Sequence, residues 1–93
     1  MESPERFLQG SPDLVVEVLS PGDSWRIIES KVEKYFEHGA RLAWVIDGKR
    51  RVITVLTPEG VRKLKAPTDV LSGGEVLPGF KCKLSEVFEG AWG

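Results

Sequence analysis

The sequence has one cysteine, Cys82, and one histidine, His38. A lone cysteine excludes an internal disulfide, and the two residues together cannot furnish a Cys/His metal site. A Ser-His-Asp arrangement would have to use His38, and no serine stands in a nucleophile-elbow context. The phosphate-cradling type of glycine loop is also missing, because Gly73-Gly74 is followed by neither a helix nor a lysine. No apolar run approaches the ~20 residues of a membrane span. The opening MESPERFLQG has no signal-peptide hydrophobic region, so a cytoplasmic location is expected. Charge of one sign is lacking too: 13 Lys and Arg against 14 Asp and Glu leave a formal net charge of −1. Binding to nucleic acid through bulk charge is therefore not expected.

What is present is the make-up of one small globular domain, 93 residues with 41% hydrophobic and 29% charged positions. A domain of this size buries only about two-thirds of its unfolded surface, so its core must be efficient or shared. Residues 1–11 lack periodicity and read as a loose lead-in, leaving 12–93 as a single domain. Asp13 to Leu19 is β-branched and too short for a helix, which predicts a central strand. Ser20-Pro21-Gly22-Asp23 stops it, and Asp23 or Ser24 is placed to cap a following helix.

Trp25, Ile28, Val32, Tyr35 and Phe36 recur at helical spacing, predicting a main helix over about 24–38 that ends on Gly39 in a left-handed conformation. Leu42 to Asp47 (LAWVID) reads as a second buried strand, Asp47-Gly48 as a hairpin turn and Arg51 to Leu56 as the returning strand. Val61 to Lys65 follows as a charged edge strand. Phe80 to Leu84 is a short candidate strand, and Ser85 is placed to cap a last turn through Phe88. The expected fold is α/β, a mixed sheet with one main helix packed on it.

Within the first strand Asp13, Val15 and Glu17 point to one face. A carboxylate inside an aliphatic strand is costly unless it is paired or binds a metal, which singles out Glu17. Asp13, behind Pro12 at the strand entrance, suits local backbone capping as well as chemistry. On the helix, ~100° per residue puts Lys34 on the solvent side and Lys31 on the flank of the apolar stripe. From there Lys31 can reach a carboxylate or phosphate at the sheet. Three basic clusters occur, at Lys49-Arg50-Arg51, Arg62-Lys63-Lys65 and Lys81-Lys83. Their simplest reading is solvated turns and edge protection, with Lys49, Arg50 and Arg51 as a candidate nucleic-acid contact. Trp44 and Trp25 read as core residues and Trp92 as a tail residue, rather than as base-stacking platforms.

PDLVVEVLSP (12–21), Lys31 four residues before Tyr35, Gly39, LAWVID (42–47) and EVLPGFKCKLSEVF (75–88) together resemble a large bacterial family of restriction-endonuclease-like proteins. Its members belong to the PD-(D/E)XK superfamily. The resemblance covers about residues 11 to 88 and implies a nuclease core that binds Mg²⁺ or Mn²⁺ and hydrolyses DNA. It implies that Glu17 is the acidic residue of the third superfamily motif. Leu19 stands where the usual lysine would be, and Lys31 matches the family's helix lysine. The backbone carbonyl of Val18 is a further candidate ligand.

Family members carry about as much sequence again upstream, including a Pro-Asp whose Asp binds the metal. In this chain Asp13 is the candidate substitute. Loss of that half predicts exposed apolar surface and a homodimer or strand-exchanged oligomer. Two other functions stay open beside the endonuclease: a catalytically silent structural module, and a non-catalytic nucleic-acid-binding module.

Overall fold

The computed structural model of the protein describes residues 13–92. The expected lead-in over 1–11 and the Trp92 side chain lie outside what is described. Strand β1 is Leu14–Val18, a β-branched stretch that suits a pleated, packed surface. Helix α1, Trp25–Glu37, follows a turn in which Asp23 Oδ2 accepts the Ser20 N–H at 2.7 Å. The end of α1 is set by backbone chemistry. Gly39 takes φ 106 and donates to the Phe36 carbonyl, and Ala40 donates to the Tyr35 carbonyl. These two bonds satisfy carbonyls that a helix end leaves open.

Strands β2 (Leu42–Asp47), β3 (Val52–Thr57) and β4 (Gly60–Lys65) then form an antiparallel meander. Strand β1 joins it in parallel beside β2, giving the sheet order β1-β2-β3-β4. Parallel neighbours need a crossover, and α1 is that crossover. Strands β5 (Val70–Ser72) and β6 (Lys81–Lys83) pair separately, and helix α2 (Leu84–Trp92) closes the chain.

The sheet divides the core in two. On one face Ile28 and Val32 of α1 pack on Val15, Ala43, Val45 and Leu56. On the other, Leu71 of β5 with Leu84 and Phe88 of α2 packs on Leu42, Trp44, Ile53 and Leu64. The mixed sheet with its single main helix is thus as the pattern predicts. At side-chain level the two clusters obey the period of two along each strand.

Several local expectations are corrected. Trp25 is not core: it is 37% exposed at the head of α1, where it borders an open groove over the sheet. Neither Asp23 nor Ser24 caps the helix through its side chain; Ser24 occupies the N-cap position without such a bond. The β2–β3 connection is a turn over residues 48–51, not a tight Asp-Gly hairpin. Asp47 Oδ1 accepts the Arg50 N–H at 3.0 Å, and Arg51 takes the left-handed position with φ 57. Strand β5, three residues long, is too short to announce itself by periodicity and is not among the expected strands. Helix α2 starts at Leu84, so Ser85 lies inside it, and it runs past the expected end at Phe88.

Candidate active site

Glu17 and Lys31 meet. Lys31 Nζ donates to Glu17 Oε1 at 3.3 Å, with the Glu17 side chain 15% exposed and that of Lys31 47% exposed. The fold explains the encounter. Glu17 shares the α1 face of β1 with Val15, and the crossover brings α1 back over that face, so the flank of the helix lies above the strand. The carboxylate is taken largely out of water and receives a cation, which resolves the cost of placing it in an aliphatic strand. The Lys31 ammonium keeps contact with solvent and so remains able to meet a second anion.

Val18 adds a third group. Its peptide N–H, that of Leu19, donates to the Ile46 carbonyl of β2 at 2.9 Å. In a planar trans peptide the carbonyl points the other way, so Val18 C=O faces the free edge of β1, next to Glu17. Among the described residues no strand pairs with that edge.

Asp13 is not brought to this group. It lies four residues before Glu17, ~13 Å along the strand at about 3.3 Å per residue, too far for both to hold one ion. It is engaged at the other end of the strand instead. Its Oδ1 accepts from Arg41 Nε at 3.3 Å, and its carbonyl accepts the N–H groups of Arg41 and Leu42. That is the backbone-securing role. Lys49, Arg50 and Arg51 are exposed on the β2–β3 turn, just past the end of β2 that pairs with the end of β1, and Arg50 lines the same groove as Leu19. Lys34 is exposed, and His38 Nδ1 lies 2.7 Å from the Lys34 carbonyl at the helix end. Among the described residues no cluster of three or more acidic, His or Cys side chains is placed to hold a metal.

The pairing registers reveal a feature that sequence reading missed. Glu17, Val45, Thr54 and Lys63 stand in one row across the sheet, all on the α1 face. Glu17 and Lys63 are three strand spacings apart, or ~14 Å. Helix α1 covers the β1–β2 half of this row and leaves the β3–β4 half open. The open half is a groove lined by Leu19, Trp25, Asp47, Thr54, Lys63 and Lys65, among others. Strand alternation places Lys63 and Lys65 on one side of β4, but only the tertiary register tells which helix end and which carboxylates they face.

The chain is thus a mixed α/β sheet with a crossover helix, and an acid-lysine pair links its edge strand to that helix. The family model described as "Putative restriction endonuclease" (Uma2) matches residues 2–85, and the chain belongs to this family. It is similar in fold to a solved structure from Anabaena variabilis described as "a putative nuclease belonging to DUF820". The TM-score is 0.77 at 20% identity, over 86% of this chain and 45% of that one. This chain therefore spans less than half the length of that relative. No curated protein matches it.

Proposed function

We propose that the chain carries half of a metal-dependent DNA endonuclease centre, in which Glu17 and Lys31 act on a phosphodiester. The observation that carries this reading is the 3.3 Å Lys31–Glu17 contact in a chain of a restriction-endonuclease family. The donors suit a small hard cation in part. Such an ion is bound by one or two carboxylates and completed by substrate phosphates and waters. Glu17 and the outward carbonyl of Val18 would hold it, and Asp13 is too distant to contribute within one chain. When bound, Mg²⁺ or Mn²⁺ would neutralise the phosphate and favour hydroxide at neutral pH.

The chain's own groups have separable tasks. Glu17 is anchored in a strand with a fixed register, so its carboxylate is preorganised. Lys31 Nζ holds that carboxylate in place and presents its remaining protons to an anion, steadying the attacking water or the charge that develops on the phosphate. The free edge of β1, with Val16 and Val18 each nearly half exposed, supports pairing with a second copy of the chain. That copy would form a homodimer or exchange strands and bring further carboxylates near.

The test is nicking of supercoiled plasmid with Mg²⁺ or Mn²⁺ by the wild type, Glu17→Gln and Lys31→Ala. Nicking abolished by either change supports the proposal; nicking indifferent to both overturns it. Size-exclusion chromatography with light scattering reads the oligomer. A second reading, a non-catalytic module of the same fold, is favoured by the incomplete ligand set among the described residues. It predicts no nicking with either metal.

A further inference from the structure

The groove on the open half of the α1 face has a volume of about 620 Å³, and nothing in the Glu17–Lys31 chemistry uses it. We propose that it docks a single strand of nucleic acid, with phosphates on Lys63 and Lys65, the Thr54 hydroxyl as a further donor and a base stacked on Trp25. The proposal rests on the nuclease reading for the polymer's identity, and it adds a substrate contact on the opposite flank of α1.

The groove's charges are unequally occupied. Asp23 is held by the Ser20 N–H. Asp47 accepts from the Arg50 N–H and stands 3.9 Å from the Arg50 guanidinium. Lys63 and Lys65 have no ion-pair partner among the described residues. Two unpaired ammonium groups facing one way along a strand suit an extended polyanion better than a single small ion.

Thr54 offers a further donor. It is only 5% exposed in the middle of the sheet, lines the groove, and its hydroxyl has no hydrogen-bond partner among the described residues. Trp44 Nε1 is the buried side-chain atom left unpartnered among the described residues, so the Thr54 hydroxyl is open to the groove, where a phosphate oxygen would accept from it. Trp25 supplies the remaining element. An indole left partly exposed beside cations is the combination that single-strand binders use, because every unpaired base offers a face to stack on. A duplex hides those faces, which favours the single strand.

The experiment is fluorescence anisotropy of a labelled oligonucleotide of about 15 nucleotides with the full chain in EDTA, so that metal-dependent cleavage does not intrude. Lys63→Ala/Lys65→Ala is expected to weaken binding about ten-fold. It should also flatten the salt dependence by about 1.4, two contacts at about 0.7 each. Thr54→Val and Trp25→Leu should each weaken it, with Trp25→Phe restoring most of the affinity. Lys81→Ala/Lys83→Ala, on the separate β5–β6 pair, should leave it unchanged. All these lysines are on exposed strands, and circular dichroism confirms the fold of each variant.

No binding by the wild type overturns the proposal. So does an equal loss on removing Lys81 and Lys83, or duplex binding as tight as single-strand binding with Trp25→Leu silent. Groove-dependent binding in a protein that never nicks plasmid overturns the nuclease reading alone.

Discussion

On one face of the sheet Ile53 is sealed beneath Leu84 and Phe88 of α2 and Leu71 of β5. On the other face α1 shelters β1 and β2 and leaves Thr54, Lys63 and Lys65 beside a groove. Glu17, Lys31, Thr54 and Lys63 all stand on the half-open face. Among the described residues the other face carries mainly apolar packing and one buried unpartnered donor, Trp44 Nε1, whose ring stacks on Phe80 at 5.6 Å. The division separates cohesion from chemistry. A substitution on the sealed face should cost stability, and one on the open face should cost activity while the fold persists.

The sharpest way to break this division is to hollow out each face in turn. Phe88→Ala removes a fully buried ring and is expected to cost about 3–5 kcal/mol in urea unfolding. A loss under about 1 kcal/mol would mean that the sealed face is not the cohesive one. Ile28→Ala is expected to cost about 2–3 kcal/mol, at the lower end for such a truncation. Its neighbours Tyr35 and Phe36 are only partly buried and have room to settle into the gap. Gly39→Ala forces a side chain onto the positive φ that ends α1 and should cost about 1–2 kcal/mol, read as a lower thermal midpoint. The smallest expected effect on stability sharpens the contrast most. Lys31→Ala breaks a half-exposed ion pair, worth less than about 1 kcal/mol, yet it should abolish plasmid nicking.

The sequence carried much of this plan, for identifiable reasons. The aliphatic runs of β1 and β2, the helical stripe with Gly39 behind it and the charged strand β4 each have one strong local cause. Lys31 was separable from Lys34 because helical geometry fixes which side chain flanks the stripe, and the structure brings it to Glu17. What escaped was set by tertiary arrangement. Trp25 has the right spacing for the core, but it borders a groove that α1 leaves open over the sheet. Asp13 shares a face with Glu17 and invites comparison with it, but the strand's own length keeps them apart. The groove is written in three strands that meet only through their register, so Thr54 looks like any strand threonine until its neighbours across the sheet are known.

The crossover between β1 and β2 has a consequence in time as well as in space. Leu14 pairs with Leu42, whereas Asp47 pairs with Val52 and Thr57 with Gly60. Closing long loops costs more entropy than closing short ones, and distant pairings slow folding. The meander β2-β3-β4 can therefore assemble first, with β1 docking once α1 has formed. The strand that carries Glu17 is then the last to arrive and the first to leave. Amide hydrogen exchange should find it the least protected strand of the four.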